Sequence, residues 1–119
     1  MQAIGEGFAF LKASDYDLDY AKIAALWNHG SIIESLLVKN IADALAKSPV
    51  LAELEGRVDD SGEGMWMVEE ALKSKVAIPV ITQALFARYK SRDEEKFSEK
   101  VVAAMRNEFG GHAVYKKDE

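Results

Sequence analysis

Ser31-Ile32-Ile33-Glu34-Ser35-Leu36-Leu37-Val38-Lys39-Asn40-Ile41-Ala42-Asp43-Ala44-Leu45 is the run that decides the fold class. Ile33, Leu36, Leu37, Ile41, Ala44 and Leu45 recur every three or four residues. That period places them on one stripe of a helix. Ser31 predicts an N-cap, and Glu34 completes a capping box. Asn40 falls on the apolar seam, where an amide needs a buried partner or a ligand.

Toward the N-terminus, Tyr20, Ile23, Leu26 and Trp27 form the face of a second helix. Asp17 and Asp19 are its candidate caps, and Asn28-His29-Gly30 ends it. His29 reads as a favourable charge at the helix's negative pole or as a catalytic imidazole. Before that, Met1 to Ala13 carries Ile4, Phe8 and Leu11 at helical spacing. Gly5 and Gly7 interrupt this helix at a cost of about 1 kcal/mol each against alanine. They predict close backbone packing. No Ser, Thr, Asp or Asn precedes the helix, so Met1 reads as an internal residue of a longer chain.

Toward the C-terminus, residues 48–64 are irregular and end in Asp59-Asp60-Ser61-Gly62-Glu63-Gly64. Such a small, polar loop before a helix can offer backbone N–H groups to an anion. It is also simply a loop, and its acidic residues oppose a phosphate. The helix that follows is expected over Trp66 to Lys75, with Val68, Ala71 and Leu72 inward. Pro79 suits the first turn of the next helix. There Ile81, Ala84 and Leu85 define an apolar face on which Arg88 also sits. A guanidinium in that place lines a cleft, or snorkels from a helix end. Asp93 is expected to cap the last helix, whose face is Phe97, Val101, Ala104 and Met105. Lys116-Lys117-Asp118-Glu119 reads as a solvated tail. No stretch alternates as a strand does, so the fold class is all-α, a single multi-helix domain.

That last helix leads into Arg106-Asn107-Glu108-Phe109-Gly110-Gly111-His112. Gly-Gly is a natural helix C-terminus, because glycine accepts left-handed dihedrals without a Cβ penalty. The turn can bring Arg106 and His112 to one side, where both would hydrogen-bond a phosphate. The plainer alternative is a capped helix end.

Composition narrows the classes. The 119 residues suffice for one core. A net charge of -5 argues against a nucleic-acid surface. No apolar run approaches the roughly 20 residues of a membrane span. Cysteine is absent, which rules out thiol nucleophiles and thiolate metal sites. With no signal-peptide pattern either, a cytoplasmic protein is expected. The sequence contains no dinucleotide fingerprint, P-loop or cluster of metal ligands.

Four motifs together carry a family resemblance. Leu26-Trp27-Asn28-His29-Gly30-Ser31-Ile32-Ile33, Asp60-Ser61-Gly62-Glu63-Gly64-Met65-Trp66, Leu85-Phe86-Ala87-Arg88 and Arg106 to Val114 stand in the order found in decarboxylating 6-phosphogluconate dehydrogenase. The chain resembles that family's C-terminal helical domain and tail, in the shorter, bacterial-type members. The resemblance implies an all-helical substrate and dimerisation domain over 1–109 and a C-terminal tail over 110–119. The family's N-terminal Rossmann domain is absent from this sequence. So are its catalytic lysine and glutamate, which lie in or just before the helix that continues at Met1.

By residue, the resemblance implies that Arg88 and Arg106 hold the substrate phosphate and that His112 closes the site from the partner subunit of a homodimer. Ser61 and Gly62 would lie along the substrate. Longer family members have lysine and threonine where this chain has Ser61 and Glu63. Glu34 and Met65 stand where relatives usually carry a basic residue. The implied activity is oxidation and decarboxylation of 6-phosphogluconate to ribulose 5-phosphate, with NADP or NAD in the full-length enzyme and no cofactor or metal held by this part. The part alone would not turn over. The rival reading is a non-enzymatic helical dimerisation module derived from the same fold.

Overall fold

A computed structural model describes residues 1–116. Among them lie six helices and no strand: α1 (Gln2–Lys12), α2 (Tyr20–Trp27), α3 (Leu36–Lys47), α4 (Glu63–Ser74), α5 (Pro79–Ser91) and α6 (Phe97–Gly110). The all-α expectation holds. The chain divides into two compact units, Met1–Gly56 and Arg57–Glu119. Part of the expected solvated tail, from Lys117 onward, lies outside the described residues.

In the first unit α2 and α3 pack along each other, and Ala24, Val38 and Leu45 form the buried core. α1 joins them through Phe8, whose ring centroid lies 5.2 Å from that of Trp27, tilted by 54°. This is a favourable geometry for an aromatic pair. An apolar groove of about 460 Å³ runs between α1 and α3, lined by residues including Ile4, Phe8, Ile41 and Leu45. Asp19 caps α2 by accepting from the Lys22 N–H at 3.0 Å, as one of the two aspartates was expected to do.

Several sequence expectations fail in this unit, among them the inward stripe of α3, on which Leu36 and Leu37 are exposed. The N-cap of α3 is Ser35, not Ser31: its hydroxyl accepts from the Val38 N–H at 3.3 Å. Ser31 instead donates its hydroxyl back to the carbonyl of Trp27, and Glu34 accepts from the Gly30 N–H at 2.7 Å. The expected capping box is therefore spent on closing the α2–α3 connection, and Ile32 and Ile33 are left exposed. Asn40 is exposed, so it needs no buried partner. Gly5 and Gly7 face open space, and a Cβ on either would meet nothing. Leu26 is exposed as well.

In the second unit α4 packs on α5, and Leu85 is the buried anchor. The approach is close, since a Cβ on Gly64 would stand 3.5 Å from Leu85 Cδ1. Pro79 occupies the first turn of α5 as expected. α4 starts at Glu63, before the expected Trp66, because Gly62 adopts φ 101° and opens the helix early. Leu72, expected inward, is exposed. Asp93 does not cap α6. It accepts from the Lys96 N–H at 2.9 Å and so closes the preceding turn, while Lys96 itself, at φ 52°, is the N-cap. α6 ends at Gly110 and is capped by Gly111, which takes φ 64°, as the Gly-Gly pair predicts. No residue of α6 is buried. Phe97, Val101, Met105 and Phe109, one turn apart along one side, are all exposed.

Candidate functional site

The loop before α4 and the last turns of α5 belong to the same unit and meet side by side. α5 presents Arg88, Ser91 and Arg92 on one face, as residues three and four apart must be. Arg88 is half-buried, and its Nη1 donates to the carbonyl of Asp59 at a long 3.5 Å. Ser91 Oγ accepts from the Val58 N–H at 2.9 Å and donates to the Arg88 carbonyl at 2.7 Å. Arg92 Nη2 donates to Asp60 Oδ2 at 3.0 Å, and its Nη1 stands 3.6 Å from Asp59 Oδ1. The Arg92 guanidinium also lies over the Tyr89 ring, 5.1 Å from its centroid.

The loop's acidity is thereby matched. Asp59 faces both Arg57 and Arg92, each at 3.6 Å, and Asp60 is held by Arg92. The Asp60 side chain is only 14% exposed, so this pair is shielded from solvent in a way that the other ion pairs among the described residues are not. Arg88 forms no ion pair among the described residues. Its guanidinium keeps most of its donors for a ligand.

Ser61 and Gly62 follow directly. The Ser61 hydroxyl donates to a carboxylate oxygen of Glu63, and this bond above all holds the Glu63 carboxyl below its usual range. The backbone N–H of Glu63 and the charge of Arg88 act in the same direction. Gly62 is the N-cap of α4, and the Trp66 indole packs against it. The first turn of α4 has N–H groups without intrahelical partners, and that of Glu63 is already taken by the Glu63 carboxylate.

Arg106 and His112 are placed apart from this cluster. Arg106 is exposed on α6, where it shares a shallow concavity of about 400 Å³ with Ser98, Glu99, Val102 and Ala103. His112 folds back over the helix end: Asn107 Nδ2 donates to its carbonyl at 2.9 Å, and a Cβ on Gly110 would stand 3.2 Å from its Nε2. Among the described residues no hydrogen bond joins His112 to Arg106, or either of them to Arg88 or Ser61. So Arg88 reaches the loop that carries Ser61 and Gly62, at the Asp59 carbonyl, while Arg106 and His112 are exposed. The sequence reading missed Arg92 and Ser91. A signal existed, since Arg92 is one helical turn beyond Arg88 and the loop supplies Asp59-Asp60 to meet it.

Among the described residues no three His, Asp or Glu side chains are grouped to hold a metal ion, and no helix is long and apolar enough to cross a membrane.

Known proteins share this arrangement of sequence. The model of the 6-phosphogluconate dehydrogenase C-terminal domain matches residues 2–119. A Bacillus subtilis (strain 168) protein, YqeC, whose name assigns it to 6-phosphogluconate dehydrogenase, is 51% identical over 117 residues, covering 98% of this chain and 39% of the relative. The NAD(+)-dependent, decarboxylating 6-phosphogluconate dehydrogenase of Haloferax volcanii is 38% identical over 120 residues, covering all of this chain and 40% of the relative. The decarboxylating enzyme of Lactococcus lactis subsp. lactis is 32% identical over 129 residues, with 99% and 27% coverage. The chain therefore spans about two-fifths of the length of the first two relatives. All-helical from α1 to α6 and matched along almost its whole length, the chain belongs to the 6-phosphogluconate dehydrogenase C-terminal domain family.

Proposed function

We propose that this chain is the helical part of an NAD- or NADP-dependent 6-phosphogluconate dehydrogenase, in which it binds the substrate phosphate and forms a homodimer. The observation that carries the reading is Arg88, a half-buried guanidinium without an ion-pair partner among the described residues, whose Nη1 reaches the Asp59 carbonyl at 3.5 Å in the loop that leads through Ser61-Gly62 into α4. A guanidinium fork and helix N-terminal N–H groups are both suited to phosphate oxygens. The names of the Haloferax and Lactococcus relatives support the oxidative decarboxylation of 6-phosphogluconate. In this reading Arg106 and His112, which face outward, serve a site completed by the second subunit. The exposed apolar side of α6 is the natural surface for that subunit.

The chemistry of hydride transfer belongs to the nicotinamide and to parts of the enzyme outside this sequence. This chain's task is to fix the phosphate end of the substrate, so that its carbon chain is presented in one orientation. The test is NAD(P)H formation and CO₂ release by the full polypeptide carrying this chain, with 6-phosphogluconate as substrate. Coupled formation of both supports the reading. Dimer formation without either product supports the non-enzymatic dimerisation module instead.

A further inference from the structure

We propose that Arg92 is a positioning residue for the substrate-phosphate site, acting through Asp60 on the loop Asp59–Gly62; this rests on the phosphate-binding reading of Arg88.

Three observations carry it. First, the loop is fastened at both ends and by different means. Arg92 holds Asp60 at 3.0 Å on one side of Ser61, and Trp66 packs against Gly62 on the other. Ser61 stands between the two fixed points, so its hydroxyl and the N–H groups after it are presented in one place. Second, the Arg92–Asp60 pair is the shielded one. Arg92 is 30% exposed and Asp60 14%, whereas at least one partner in every other recorded pair is more than half exposed. A shielded pair in which one side chain is truncated leaves a poorly solvated charge behind, which an exposed pair does not. Third, Arg92 is braced from below by the Tyr89 ring at 5.1 Å, which limits the rotamers of a long side chain.

The pair also settles an electrostatic conflict. Asp59 and Asp60 would repel an incoming phosphate. Arg92 answers both carboxylates, with Arg57 assisting at Asp59. Arg57 reaches only Asp59; without Arg92, Arg88 is the guanidinium left to answer Asp60, because its Nη1 already touches the neighbouring Asp59 carbonyl. It would then be drawn to an aspartate and lost to the substrate. Arg92 thus has two tasks: it pins the loop, and it keeps Arg88 free.

The experiment measures steady-state kinetics of the full polypeptide with 6-phosphogluconate, for Arg92→Ala, Arg92→Lys, Asp60→Ala, the Arg92→Ala/Asp60→Ala double variant and Arg88→Ala. The expected result is a rise in KM for 6-phosphogluconate of about tenfold in Arg92→Ala, the scale of one charge-assisted hydrogen bond, with the nicotinamide KM unchanged. The double variant should show no further rise beyond Arg92→Ala, because both changes break one link. Arg92→Lys should restore only part of the loss, since an ammonium cannot reach two carboxylates as a fork does. If Asp60→Ala leaves KM untouched while Arg92→Ala raises it, Arg92 acts directly on substrate and the proposal is overturned. An unchanged KM in Arg92→Ala overturns it too. If Arg92→Ala does not fold, Asp60→Ala alone decides: a raised substrate KM supports the proposal and an unchanged one refutes it. Arg88→Ala separates the two ideas, since an unchanged KM there refutes the phosphate-binding reading itself, whatever Arg92 does.

Discussion

The indole of Trp66 lies so close to Gly62 that a Cβ on the glycine would stand 3.2 Å from Trp66 Cζ2. Gly62 also holds φ 101°, a conformation that side chains rarely adopt. Gly62→Ala therefore meets strain twice, in the backbone and against the ring. The expected loss of stability is about 1–3 kcal/mol, the usual cost of a sparsely populated backbone conformation. Chemical denaturation should record it, together with a shift in Trp66 fluorescence. A variant as stable as the parent would mean that the loop relaxes freely.

Arg106 is exposed on α6, in a concavity with Ser98, Glu99, Val102 and Ala103. If the second subunit completes the site, Arg106→Ala in the full polypeptide should weaken 6-phosphogluconate binding by about 1.5–3 kcal/mol, the value of a hydrogen bond to a charged group. Nicotinamide affinity should hardly change. Equilibrium binding of each ligand measures both. An unchanged substrate affinity would remove Arg106 from the site.

Lys90 donates to Glu99 across the turn between α5 and α6. That bond, with a second from the Ser98 hydroxyl, lowers the Glu99 carboxyl to about 2, and Glu99 raises Lys90. The sign follows from each shift. A lowered carboxyl contributes stability above its unfolded value of 4.5 and loses it as pH falls toward about 2. A raised ammonium contributes below its unfolded 10.5 and loses it as pH rises beyond that. The tie should therefore be intact at neutral pH and release in strong acid. Carboxyl NMR titration should find Glu99 well below an ordinary glutamate, and Lys90→Met should bring it back up. An ordinary Glu99 in the unaltered chain would show that the exposed pair is not formed in solution. Both groups are solvated, so global stability should change little.

Phe97, Val101, Met105 and Phe109 leave one side of α6 uncovered, with Phe109 94% exposed. A continuous apolar side of this kind seldom stays in water. The chain is expected to form a homodimer at micromolar concentration, and Met105→Glu should shift it toward monomer. Light scattering reads both masses. A monomer from the unaltered chain would count against α6 as a self-association surface. Truncation after Phe109 tests the tail: a weaker dimer is expected if the segment from Gly110 packs on the partner.

Local chemistry made several elements legible in the chain itself. Apolar residues three and four apart could only form one stripe of a helix, so the all-α class followed from periodicity. Asp19 beside an apolar run, Pro79 at a first turn and Gly111 after a last one are caps and stops whose effect is confined to neighbouring residues. The motifs around Gly30, Gly62, Arg88 and Gly111 were enough to place the family. The tertiary structure decided what depends on partners distant in sequence. Ser31 and Ser35 are both competent caps, and only the return of Ser31 to Trp27 and of Glu34 to Gly30 left the role to Ser35. Arg88 and Arg92 are alike as letters. Arg92 is spent on Asp60, 32 residues away, and Arg88 is not, because a charge satisfies whichever carboxylate the fold brings within reach.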